Sequence, residues 1–298
     1  MFVVRGFLDL QINGAFGVDF TTEPERVEEV ARQLPQFGIT AFLPTVVSSP
    51  LECYPYFAHH LRAREVDGGA TILGPHFEGP FLNPHFAGAH AKDYLIKGEG
   101  LSGYRLLTAA PEMYTGYASI AWGHTDTTTL KRPLMITHLF NTMKPFHHRE
   151  PNLPAEVLTS DIPFSLIADG YHLSDATLRL AYRAAPQQVI LVSDAMAGLG
   201  MPAGTYALGT QSIQCQLPLA TTSKGALAGS LTSLHACMRH FRRVTGCSLH
   251  EVVEMVTTRP AAVIGHSIPH DHQVVLDEDL HLLETRIRGH VVWKCKDR

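Results

Sequence analysis

VILVSDAM (189–196) places four consecutive aliphatic residues ahead of a serine and an aspartate. An unbroken apolar run of this length fits a parallel strand covered on both faces, because alternation disappears when neither face meets water. The same pattern, an aliphatic or β-branched run ending in polar residues and a turn, recurs along the chain. It reads at Phe7–Gln11, Ile39–Thr45, Thr71–His76, Tyr104–Ala109, Ser119–His124, Leu134–His138 and Phe164–Asp169, with Val189–Asp194 as the eighth.

Helical segments separate several of these runs. Thr22-Glu23-Pro24-Glu25 reads as a capping box with an early proline, and Gly38 breaks the chain before the next strand. Ser174 can cap a helix through about Ala184, Leu231–Val244 reads as helical, and Ser248-Leu249-His250-Glu251 is a second capping box. Eight strands with interleaved helices predict an α/β fold, a (β/α)8 barrel of the TIM type. Ala110–Ser119 and Thr125–Pro133 are short for parallel crossovers, which normally need a dozen or more residues. The helices after strands four and five are therefore expected to be reduced. Ala203–Leu217 reads as a β-hairpin following strand eight. The expected division is a barrel over 6–267 with an accessory β-strand region, a remnant small β-sandwich, from 1–5 and 268–298.

Composition limits the function. The chain has 298 residues, 45% hydrophobic and 17% charged, against a typical charged share of roughly 25%, which excludes a disordered chain. A net charge of −4 lacks the basic excess of a general nucleic-acid binder. No run is long and apolar enough to span a membrane. Five scattered cysteines form no CxxC pair, and the first residues, with Arg5, Asp9 and Gln11, do not read as a signal peptide. A reducing, cytoplasmic setting is the expectation. Eighteen histidines in a weakly charged chain point to metal or proton chemistry.

In a barrel of this type the strand ends converge on one mouth. Here they carry Gln11 and Asn13, His76 and Glu78, His124, His138, Asp169 and His172, and Asp194. A carboxylate and two imidazoles from different strands can hold a divalent ion, while an aspartate on another strand moves protons. These residues also have plainer readings: Glu78 as a strand-end carboxylate paired with a barrel cation, His124 and His138 as structural histidines, Asp194 as a helix N-cap, His172 as a backbone partner, and Gln11 and Asn13 as hydrogen-bonding groups of the floor; Arg149, between His147, His148 and Glu150, reads equally as a solvated loop charge.

The segments GFLDLQINGAFGVDF (6–20), GPHFEGPFLNPHFAGAH (74–90), LTAAPE (107–112), GHTD (123–126), THLFNTM (137–143), HHREPN (147–152), ADGYHLS (168–174), VSDAM (192–196) and LAGS (227–230) resemble, in order, the N-acetylglucosamine-6-phosphate deacetylases of the amidohydrolase superfamily. The resemblance implies metal-dependent hydrolysis of the acetamide of an amino-sugar phosphate. It implies that Glu78, His124 and His138 bind one divalent ion, with zinc ahead of iron or manganese. Gln11 and Asn13, standing where many amidohydrolases have His-x-His, are poor ligands for a second ion. Asp194 would be general base and then acid, and His172 would touch substrate and polarise the acetyl carbonyl. Gln11, His90, Asn141, Thr142, Ala228 and Gly229 would line the substrate site. Arg149 would reach the phosphate in a neighbouring subunit, so a homodimer is expected, also because reduced helices would leave apolar barrel flank to cover. The chain reads as a shortened member. The rival readings are a catalytically impaired phosphosugar- or metal-binding protein on the same scaffold, and an amidohydrolase with another N-acyl substrate.

Overall fold

The computed structural model of the chain describes residues 1–80, 82, 84–96, 114–115 and 135–296. A continuous run of parallel pairings organises it. Phe7–Ile12 pairs with Ile39–Val47, which pairs with Thr71–Ile72 and with His76–Glu78, and Tyr114–Thr115 lies beyond. On the opposite side, Ile12 bridges Ala195 in parallel, carrying the run to Val189–Val192 and its partner Phe164–Ile167. Phe164 in turn bridges Ile136. Phe7–Ile12 and Ile39–Val47 are buried at every position, including their polar Asp9, Gln11, Thr40 and Thr45, as strands covered on both faces are.

Neighbouring residues of a strand go to opposite faces, and two apolar clusters result. Leu8, Leu10, Ala41, Leu43, Ile190 and Val192 pack together with Ala261 and Ile264. Phe7, Phe42 and Leu191 join the larger cluster that receives Leu178, Phe241 and Val252 from the helices. Burying each large side chain contributes roughly 1.5–3 kcal/mol, so the two clusters fix the strand order.

Helices start where local chemistry satisfies their free amides. Ser174 accepts from the Thr177 amide and opens Asp175–Ala184. Ser248 and Glu251 form the reciprocal capping box of Leu249–Glu254. Ser233 caps Leu234–Thr245, so that helix begins three residues after the expected Leu231. The Thr22 capping box does not form. The Asp19 carboxylate instead takes the amides of Thr21 and Thr22, at 3.1 and 2.9 Å, and a 3-10 turn at Pro24–Arg26 leads into Val27–Ala31 without a side-chain cap.

The expected third strand is two short pieces, Thr71–Ile72 and His76–Glu78, which together reach past His76. Of the expected sixth, Ile136 makes a bridge and no strand forms among its described residues. Tyr104–Ala109, Ser119–His124 and Thr125–Pro133 lie outside the described residues. Tyr114–Thr115, read from sequence as part of a connection, pairs in parallel with His76–Glu78.

The hairpin after Val189–Val192 is present as Gly204–Leu208 and Gln211–Gln216, with Leu219–Thr221 added as a third strand. The two ends of the chain meet in a four-stranded antiparallel sheet ordered Phe2–Arg5, Gln273–Leu276, Leu282–Ile287, His290–Lys294. All five cysteines are free thiols. Among the described residues no helix is long and apolar enough to cross a membrane.

Candidate active site

Glu78 closes its strand and stands in register with Val47 on the neighbouring one. Leu8 and Leu10 share the same face, so strict alternation would turn Gln11 away from it. The pairing slips between Asp9 and Ile12, however, and the Gln11 amide meets the carboxylates of other strands. Its Nε2 donates to Glu78 Oε1 at 2.9 Å and to Asp194 Oδ1 at 3.0 Å. Asn13 Nδ2 donates to the same Asp194 oxygen at 2.8 Å. Asp194 is therefore a floor acceptor and not a helix N-cap.

Asp194 and His138 both hold left-handed backbone, at φ 48° and 33°. Such conformations cost on the order of 1–3 kcal/mol each and persist only where neighbours enforce them. Here the Asp194 amide donates to Gln11 O at 3.0 Å, the Ser230 amide donates to Asp194 O at 2.8 Å, and the His138 amide donates to Ser165 Oγ at 2.7 Å.

The charges are divided between the carboxylates. Burial works against ionised Glu78, but contacts with His138, 3.0 Å away, and His90 hold its carboxyl well below the usual range. Burial likewise opposes a charged His138, and Glu78 more than offsets it, so the imidazole lies above its ordinary value. Burial, reinforced by the negative charge of Glu78, pushes Asp194 up to about 7. Two carboxyls in one site with values forced apart are the usual basis for assigning different roles to them.

The imidazoles are oriented by what they accept and donate. The Ser48 amide donates to His90 Nδ1 at 3.1 Å, so the His90 proton sits on Nε2, which is 3.7 Å from Glu78 Oε2. His172 Nδ1 is 2.7 Å from Asp169 Oδ2. His76 is buried two residues before Glu78, with Nδ1 3.1 Å from Thr45 Oγ1, and burial lowers it to about 4.

Glu78, His138 and Asp194 border a pocket of about 280 Å³, lined also by His90, Asn141, Thr142, His172, Ala228 and Gly229. Gly229 has φ 70°, and a Cβ there would come within 3.1 Å of Asp194 O, so a side chain at this position would be both strained and crowded. Gln11 lies beneath the pocket. Arg149 is exposed and does not line the pocket of its own chain. His124 lies outside the described residues.

Sequence reading missed the apolar wall, Val47, Ala89, Leu208 and Leu227. Leu208 reaches the pocket because the Gly209 amide donates to the Asp19 carboxylate at 3.2 Å, and Gln211 Nε2 donates to Ala89 O at 2.5 Å. Those contacts join residues far apart in sequence, and no local pattern signals them.

The donor set fits a divalent cation. An ionised carboxylate faces an imidazole at 3.0 Å, and the buried Gln11 Oε1 and Asn13 Oδ1 beside them find no hydrogen-bond donor among the described residues. Among the described residues no three acid, imidazole or thiol groups form a ready-made metal cluster, and the expected third ligand is His124.

Fold and site together are those of an α/β protein with two buried carboxyls and several imidazoles gathered at the ends of parallel strands, an arrangement suited to hydrolytic chemistry. N-acetylglucosamine-6-phosphate deacetylase from Bos taurus is 35% identical over 98% of this chain and 83% of its own length. The crystal structure of N-acetylglucosamine-6-phosphate deacetylase from Thermotoga maritima superposes with a TM-score of 0.85 at 25% identity, covering 98% of this chain and 89% of that one. A mutant of the Mycobacterium smegmatis enzyme in complex with N-acetyl-D-glucosamine-6-phosphate gives 0.82 at 27% identity, over 97% and 86% of the two chains. No family model matches the chain. The chain belongs to the N-acetylglucosamine-6-phosphate deacetylase family.

Proposed function

We propose that the protein hydrolyses the acetamide of N-acetylglucosamine 6-phosphate to glucosamine 6-phosphate and acetate. The observation that carries this reading is the pair Glu78 and Asp194, bridged by Gln11 next to His138 at the floor of a pocket large enough for a monosaccharide. Family membership supplies the substrate class.

Glu78, His138 and His124 would hold one divalent ion, zinc ahead of iron or manganese. Such an ion acidifies water and polarises an acyl oxygen. Gln11 and Asn13 fix the position and charge of Asp194, which removes a proton from the attacking water. The water oxygen bonds to the acyl carbon, and the same proton passes from Asp194 to the nitrogen as the C–N bond breaks. Without it the amine would leave as an anion. His172 meets the acyl oxygen, and His90, held by Ser48, directs its Nε2–H into the pocket. Asn141, Thr142 and the backbone at Ala228 and Gly229 line the sugar phosphate. Arg149, exposed on its own chain, would complete the phosphate site of a second subunit in a homodimer. A closed (β/α)8 barrel over 6–267, with reduced helices after its fourth and fifth strands and a terminal accessory sheet, is the architecture in this reading. The free cysteines accord with a cytoplasmic setting.

The decisive experiment is release of acetate and free amine from N-acetylglucosamine 6-phosphate, with Asp194→Asn as control. Turnover by wild type and loss in the variant, by roughly 10²–10⁴-fold or more, is the expected result. An inactive wild type that still binds the sugar phosphate would favour the binding-protein reading.

A further inference from the structure

The parallel run places the strand of Val47 between the strands that carry Gln11 and Glu78. Val47 stands in register with Glu78, and its side chain lines the same pocket. Leu208, at the end of the strand Gly204–Leu208, is buried and packs in one cluster with Val47. The turn after it closes onto Val47 because residue 209 is glycine. A Cβ there would come within 2.7 Å of Val47 Cγ2. That turn is fastened from two directions. The Gly209 amide faces both oxygens of the buried Asp19 carboxylate, at 3.2 and 3.3 Å, and Gln211 Nε2 donates to Ala89 O. Leu208 and Val47 thus form a fixed apolar wall beside Glu78.

An amide carbon holds its three substituents in one plane. In the proposed hydrolysis the site gives each of them a different side. The oxygen goes to His172, in the turn after Phe164–Ile167. The nitrogen, with the sugar behind it, goes to Asp194 and the backbone at Ala228 and Gly229. The acyl methyl is left with the side that Val47 and Leu208 line. Ile167 also reaches the pocket, but it belongs to the strand whose turn meets the oxygen. We propose that Leu208, backed by Val47, sets the length of the N-acyl group that the enzyme accepts, by closing the space beyond an acetyl methyl. The proposal rests on the deacetylase reading, with His172 at the acyl oxygen. It adds the residue that tells acetyl from longer acyl groups. A wall fastened in this way gives little, and one surplus methylene in an apolar pocket changes kcat/KM by about 10–200-fold.

The test compares kcat/KM for N-propanoyl- and N-acetylglucosamine 6-phosphate, read as release of free amine. Wild type should favour the acetyl sugar about tenfold or more. Leu208→Val takes one methylene from the wall and should raise the propanoyl-to-acetyl ratio about tenfold. Leu208→Ala should extend turnover to the N-butanoyl sugar. The ratio does not depend on how much of a variant is folded, since both sugars meet the same active molecules. Ile167→Val, the same deletion on the oxygen side, should leave the ratio within about twofold of wild type. A wild type that turns over both sugars equally overturns the proposal. So does an unchanged ratio in both Leu208 variants, or a shift found in Ile167→Val instead. In each of those cases the deacetylase reading stands. A wild type that releases amine from neither sugar removes that reading, and the limit on acyl length with it.

Discussion

Asn13 Nδ2 lies 2.8 Å from Asp194 Oδ1, a side-chain contact across 181 residues of sequence that ties the end of the first strand of the parallel run to a buried carboxyl at the floor of the pocket. The asparagine contributes a hydrogen bond to a buried carboxyl. Removing a hydrogen bond to a charged, buried group costs about 1.5–3 kcal/mol. Asn13→Ala should therefore lower kcat about tenfold or more while leaving metal content unchanged, measured by steady-state kinetics alongside elemental analysis.

His138 and Glu78 face each other at 3.0 Å. The expected stoichiometry is one divalent ion per chain. His138→Ala should lose most of it, and chelation of the wild type should abolish turnover that added divalent metal restores. Two ions per chain, or a full complement in His138→Ala, would show that the metal is held elsewhere.

Asp9 is fully buried beneath the site, where its carboxylate accepts the amides of Gln11 at 3.2 Å and Ser193 at 3.3 Å. Burial raises its carboxyl from 3.8 to about 7. A folded-state value above the unfolded one means that the native chain binds the extra proton between those limits. The stability contributed by that proton is fully present below 3.8 and is lost as pH rises through about 7. Asp9→Asn cannot lose the proton. Whatever fixed offset the amide introduces, the variant should gain on wild type from the lower limit to the upper, read as urea midpoints at several pH values. Parallel curves would sink this assignment.

Arg149 offers the test of a shared site. Arg149→Ala should raise KM for the phosphorylated sugar and affect an unphosphorylated one much less, because a planar guanidinium recognises the phosphate dianion. Mixing Arg149→Ala with Asp194→Asn chains should recover part of the activity, since one site of a mixed dimer keeps both a working aspartate and a donated arginine. An active monomer, or no recovery after verified subunit exchange, would leave Arg149 a surface charge.

Gly229 at φ 70° passes 3.1 Å from Asp194 O where a Cβ would project. Gly229→Ala should weaken substrate binding and destabilise the fold together, by about 1–3 kcal/mol of left-handed strain, seen as a raised KM and a lowered Tm.

The sequence by itself determined the parallel strands, because strands covered on both faces are largely apolar, as Phe7–Ile12, Ile39–Val47, Phe164–Ile167 and Val189–Val192 are despite Asp9, Gln11, Thr40, Thr45 and Ser165 within them. It determined the helix starts at Ser174 and Ser248, where one side chain satisfies an amide three residues on. It also picked out the polar strand ends, since an aspartate or histidine after an aliphatic run has nowhere to go but a mouth. Tertiary structure alone decided which of those groups meet. The slip between Asp9 and Ile12 turns Gln11 toward Glu78 and Asp194, against the alternation that Leu8 and Leu10 set. The sequence offers Thr22 as the helix cap, yet the buried Asp19 carboxylate displaces it and anchors Gly209, which brings Leu208 over the pocket. Asp169 and His172 are three residues apart in the sequence, but only the folded turn closes their 2.7 Å contact. Periodicity and capping act within a few residues and can be read locally. Register, charge state and proton placement depend on partners from distant strands, which exist only once the chain has folded.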